Sequence, residues 1–153
     1  KGKLREASLD FVFIFGILGA VLGTIGAAQN YNAYPVLSFP NVVSGITHTI
    51  SGFASLYIVI SGMTSMKFKN LPILLIILTA FCVTAYVANV LLDYNYMFLM
   101  RDDGTPYVMF YDLVGGHPVF YPMIVVVLFY LYIFAFVYVY NIIKNRGSKK
   151  QQA

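Results

Sequence analysis

Four apolar runs, each long enough to cross a bilayer, constrain this chain more than any motif in it. They occupy residues 9–28, 42–63, 71–92 and 119–143, and Asp10 is the one charged residue among them. At 1.5 Å per residue each run reaches about 30 Å, the thickness of the hydrocarbon core. A backbone inside lipid must satisfy its own hydrogen bonds, so the runs are expected to be helices. The predicted fold is an all-α membrane protein with four transmembrane helices in one domain over residues 1–153. Composition agrees: 59% of residues are hydrophobic and 10% charged, against about a quarter charged in ordinary soluble domains. The single cysteine, Cys82, leaves no internal disulfide and no cysteine-based metal cluster. No metal and no cofactor is expected. Lys1 to Arg5 before an apolar run is the pattern of a signal peptide. The run from Phe11 to Ala28 is longer than the usual signal core, however, and Gln29-Asn30-Tyr31-Asn32 offers no small-residue cleavage site. It reads as a retained helix.

Loop charge gives an orientation. Nine of the ten Lys and Arg residues lie before the first run (Lys1, Lys3, Arg5), between the second and third (Lys67, Lys69) or after the fourth (Lys144, Arg146, Lys149, Lys150). The other two loops hold only Arg101, beside Asp102, Asp103 and Asp112. Basic residues stay cytoplasmic, so both termini are expected inside, in a multi-pass protein of the plasma membrane. This clustering beside apolar runs argues against a nucleic-acid partner. Tyr31, Tyr34, Tyr121, Tyr138 and Tyr140 fall near span ends, where an aromatic belt would stand.

The outer loops differ. Residues 29–40 carry Pro35 and Pro40 and read as a short irregular link. Residues 94–117 include Tyr96-Met97-Phe98-Leu99-Met100 and Val108-Met109-Phe110-Tyr111, too apolar for a solvated loop. They are expected to be ordered and packed, with Asn95 tied to the bundle. Gly115-Gly116-His117-Pro118 should turn the chain, with Pro118 first in the last helix. Residues 147–153 are expected to be a disordered tail.

Small and polar residues form stripes at helical spacing. Gly16, Gly19, Gly23 and Gly26 give the first helix a smooth face for close packing. Ser44, His48, Ser51 and Ser55 share a face of the second helix; Thr79, Cys82, Tyr86, Asn89 and Asp93 share one of the third. Lipid offers such groups no partner, so the stripes should face protein or a wet cavity. His48 and Asn89 both belong to the outer half of the membrane and are expected to face each other, within one hydrogen bond or one bridging water. Two readings stay open: interhelical hydrogen-bond glue, or a site, since imidazole alone here can exchange protons near neutral pH. Asp93 could orient the imidazole. Cys82, in apolar company, is read as packing.

The second half of the chain resembles the YwaF-like bacterial membrane proteins, relatives of an animal transmembrane acyltransferase that remodels ether phospholipids. Asn89-Val-Leu-Leu-Asp-Tyr-Asn95-Tyr96-Met97-Phe98-Leu99 is similar to their N-x-L-L-G-T-N-Y-x-F-L signature. Asp112-Leu-Val-Gly115-Gly-His-Pro118-Val-Phe120-Tyr121 resembles the segment that follows it. Ser44-Gly-Ile-Thr-His48-Thr-Ile resembles their Ser-His-Gly helix, and Tyr34-Pro35 their Tyr-Pro before it. Asp93 and Tyr94 replace Gly-Thr, Thr49 stands where Gly is usual, and the chain has no Trp.

The resemblance implies a four-helix portion of a six- or seven-helix protein that transfers acyl groups between phospholipids. His48 would be the catalytic base beside a cysteine on a helix preceding Lys1. Asn89, Asp93, Asn95 and Tyr96, which fall in the signature, become candidate binding residues. Membrane lipids are the expected partners. A non-enzymatic subunit, meeting other membrane subunits through the Gly16/Gly19/Gly23/Gly26 face, is one rival. A transporter fragment using His48, Asn89 and Asp93 is another, although no internal repeat supports it. The orientation has a direct test. A cysteine at Arg101→Cys should react with an impermeant thiol reagent added outside intact cells, and one at Lys69→Cys should not; the reverse pattern would invert the topology.

Overall fold

A computed structural model describes residues 2–25 and 35–150. The chain is all-helical, with no strand among the described residues. It forms two compact units, Lys1–Asn70 and Leu71–Ala153. Four of the described helices are long and apolar enough to cross a membrane.

The first unit is a hairpin of α1 (Lys3–Ile25) and α2 (Phe39–Ile60), followed by a 3-10 turn at Phe68–Asn70. Ser38 precedes α2 in extended conformation and Pro40 lies in its first turn, where a missing N–H costs nothing. The other end is a Schellman stop. Met63 donates its N–H to the Ile58 carbonyl and Gly62 donates to that of Val59, at 3.0 and 3.1 Å. Gly62 has φ +65°, which a side chain would strain. This ends α2 three residues before the apolar run ends at Met63.

Helix α1 starts six residues before the predicted span, and the reason lies far along the chain. Asp10 is fully buried. One of its oxygens accepts the Ser65 N–H at 2.7 Å, the other the Ser65 hydroxyl at 2.6 Å, and the Met66 N–H lies within 3.1 Å of both. One turn earlier Glu6 takes the Lys67 ammonium at 3.0 Å and the Asn70 amide at 3.2 Å, and Asn70 also donates to Ser65 Oγ at 2.9 Å. The connector after α2 is therefore stapled to the first turns of α1. Met66, held at φ +44° and fully buried, is the residue the staple constrains most.

The second unit contains α3 (Leu71–Leu92), a 3-10 turn at Tyr96–Phe98, the short α4 (Val108–Leu113) and α5 (Phe120–Lys150). Helix α3 has the predicted bounds and stops at Asp93, whose φ is +49°. Between Asp93 and Phe120 the chain is folded, as its apolar patches led us to expect. Helix α5 begins two residues after Pro118. His117, rather than Pro118, organises its start: Nδ1 accepts the N–H groups of Val119 at 3.2 Å and Phe120 at 3.4 Å. Gly115 and Gly116, at φ +59° and +64°, make the preceding turn. The helix also continues beyond the apolar run, so residues 147–150 of the expected disordered tail are helical; residues 151–153 lie outside the described residues. Lys and Arg are good helix formers once the chain leaves the hydrocarbon.

The staple should matter to stability. Asp10→Ala leaves two buried N–H groups without an acceptor, at roughly 1–3 kcal/mol each. Unfolding of the purified protein in detergent should show a loss of that order, whereas Lys67→Ala, at an exposed pair, should change little. An unaltered Asp10→Ala protein would mean that the connector does not depend on the carboxylate.

Candidate functional site

In the first unit the glycine face and the polar face of α2 meet. A Cβ added at Gly16 would lie 2.6 Å from the Ser51 carbonyl oxygen and collide with Ser55, and one at Gly23 would run into the His48 ring. Gly19 lies beside His48 Nδ1. Small residues on α1 thus make room for Ser51, Ser55 and His48 on α2. Gly26 lies outside the described residues, as do Tyr31 and Tyr34. Ser55 is fully buried, and its hydroxyl lies 2.9 Å from both the Val12 and Ser51 carbonyls. His48 is half-buried, and among the described residues no hydrogen bond reaches its imidazole.

In the second unit the candidate binding residues gather in one loop. Asn89 is 1% exposed. Its Oδ1 accepts the Tyr96 N–H at 2.6 Å and its Nδ2 donates to the Tyr96 carbonyl at 3.0 Å. The amide thus donates one hydrogen bond and accepts one inside its own unit. Asn95 repeats the device. It accepts the N–H groups of Met100 and Arg101 at 2.9 and 3.2 Å, and donates to the Arg101 carbonyl at 2.7 Å and to Asp103 at 2.6 Å. Asp93 is exposed and lies 3.5 Å from the Arg101 guanidinium. These bonds hold Met97 and Phe98 at φ +59° and +54°, conformations that cost about 1–3 kcal/mol each. They also press Leu99 into the unit, where it is 1% exposed. Burial pushes the nearby Tyr107 phenol above its ordinary value.

Below Leu99 runs a trough of about 440 Å³ between α3 and α5. Its walls include Cys82, Val83, Val87, Val119, Met123 and Val126. That volume falls within the roughly 300–1,000 Å³ of small-ligand sites. Two polar rungs join the helices. At one end Tyr86 donates its hydroxyl to the Pro118 carbonyl at 3.2 Å. That carbonyl would ordinarily accept the N–H four residues on, which Pro122 lacks. At the other end Tyr130 bonds Thr79 Oγ1. Thr79 spends its own proton on the Leu75 carbonyl at 2.7 Å, so Tyr130 is the donor. With both rungs satisfied, the trough offers a ligand almost nothing but hydrocarbon.

A family model, that of the TMEM164 family, matches residues 5–138. This chain belongs to the TMEM164 family. No curated protein and no solved structure matches it. The match to the TMEM164 family takes in the glycine face, His48, the Asn89–Asn95 loop and both walls of the trough, and it stops before the basic end of α5.

Three features escaped the sequence reading. Asp10 was read only as the one charge in the first apolar run, because its partners are 55 and 56 residues away. Tyr121, placed in the aromatic belt, is instead 1% exposed with its ring edge-on to Tyr111, and its hydroxyl has no hydrogen-bond partner among the described residues. The trough itself depends on helix separation, although the stripe of Thr79, Cys82 and Tyr86 marked one wall.

The glycine contacts give a stability test. Gly16→Ala, whose methyl meets backbone, should cost roughly 1–3 kcal/mol as overpacking. Gly45→Ala, with nothing within 4 Å, should cost nothing in the same unfolding assay. Equal behaviour of the two would mean that α1 and α2 are not packed closely at Gly16.

Proposed function

We propose that this chain handles the acyl chains of membrane phospholipids and acts in acyl transfer between them, with His48 as general base. The trough between α3 and α5 carries the reading. It lies between two helices apolar enough to span a membrane, its polar groups are tied off within the chain, and hydrocarbon is the ligand chemistry that remains. The resemblance to YwaF-like bacterial proteins supports the finer statement, with both termini cytoplasmic in a plasma membrane.

His48 suits the base role because its imidazole is half-buried and uncommitted among the described residues. In the proposed reaction it takes the proton of a cysteine thiol on a segment outside this sequence. The thiolate attacks an ester carbonyl, a C–S bond forms and the C–O bond breaks, and the imidazolium protonates the departing alkoxide. A lysophospholipid hydroxyl then reverses the steps on the thioester. Asn89 and Asn95 act here as binding residues indirectly, by holding the loop that carries Leu99 over the trough.

The two rival readings each meet an observation. A subunit docking through the glycine face would compete with His48 and Ser55, which already cover Gly23 and Gly16. A carrier using His48, Asn89 and Asp93 would find Asn89 already bonded to Tyr96 and Asp93 beside Arg101.

In the full-length protein, His48→Ala should abolish transfer of a labelled acyl chain from phospholipid to lysophospholipid in proteoliposomes, with expression nearly unchanged. Undiminished transfer would remove His48 from the reaction.

A further inference from the structure

We infer that the Thr79–Tyr130 rung sets the length of hydrocarbon chain the trough accepts, making this pair a specificity determinant rather than only a helix tie. The inference rests on the reading of the trough as an acyl-chain site.

Helices α3 and α5 run antiparallel here, since Tyr86 meets Pro118 while Thr79, seven residues earlier, meets Tyr130, twelve residues later. The trough walls lie between these levels. Leu99, Val119 and Tyr86 stand at one end, and Val126, Val127 and Thr79 at the other. A chain entering at the Leu99 end would run along the walls to Thr79, where the bond across to Tyr130 stands as a bar. The bar is firm for an electrostatic reason: in hydrocarbon the Tyr130 hydroxyl has no other acceptor to turn to, and unmaking the bond orphans it. Beyond the bar the apolar surface resumes, with Ile76 67% and Phe134 44% exposed.

Hydrophobicity cannot provide the selection, because lipid tails are as apolar as the trough walls. What distinguishes one chain from another is packing: a chain that stops short leaves wall atoms uncontacted, and a longer one must bend out past the bar. Fit between chain length and rung position is the discriminating quantity.

The test uses the full chain in nanodiscs of mixed-length phosphatidylcholine and phosphatidylethanolamine. After repurification, mass spectrometry compares the acyl lengths of retained lipid with those of the bulk. The wild type should retain a preferred length. Tyr130→Ala, which removes the bar, should lengthen it by about four methylenes, one helical turn. Val126→Phe, which thickens a wall above the bar and breaks no bond, should shorten it. A wild-type preference that both variants leave unmoved would overturn the rung as a stop while leaving the acyl-chain reading intact. No wild-type preference at all would overturn both. Should Tyr130→Ala fail to accumulate, Val126→Phe decides alone: a shorter preferred chain sustains the inference, and an unchanged one ends it.

Discussion

A polar group inside hydrocarbon has no solvent to bond, and the two units are organised by that constraint. Each answer is local. Ser55 turns its hydroxyl to carbonyls of α1 and α2. Tyr86 supplies the donor that Pro122 withholds from Pro118. Tyr130 and Thr79 satisfy each other across the gap between two helices. Asn89 binds both the N–H and the C=O of Tyr96. Such bonds are worth little individually, about 0.6 kcal/mol on average and up to 1.7 in measured membrane cases. Their greater effect is geometric: each fixes the height at which one segment meets another.

Among the described residues, Tyr121 and His48 depart from that view in different ways. The Tyr121 hydroxyl is buried with no partner among the described residues, but its ring is held edge-on by Tyr111, so the phenol contributes mainly as an aromatic. His48 is different. Its ring lies on glycines that leave space for it, and among the described residues no hydrogen bond reaches it.

What could be read from the sequence follows the range of the interactions involved. The bounds of α3 were legible because both ends are written locally, in the polar Lys69-Asn70 before it and Asp93 after it. The end of α2 was misjudged by three residues because the apolar run continues past Gly62, and a glycine stop outweighs hydropathy. The start of α1 was hidden, since Glu6 and Asp10 matter through residues 65–70. The glycine and polar stripes were visible as separate patterns, and their mutual fit explains both. The Asn89–Leu99 signature could be recognised without its physics: its asparagines hold a strained loop closed, a role no residue-type argument distinguishes from ligand binding. The trough was the least legible feature, because a gap between helices is a property of their separation and no single residue encodes it.

Two antiparallel helices of this composition would ordinarily close on each other along their length. Here they meet at two levels through long tyrosine side chains, and small or β-branched residues such as Cys82, Val83, Val87, Val126 and Val127 line the interval. Leu74, Leu78, Val125 and Ile133 on the same two helices are fully buried, so the trough runs beside a packed core, with one rung near each of its ends. The same bonds that satisfy polar groups of the second unit therefore also stand near the two ends of the trough.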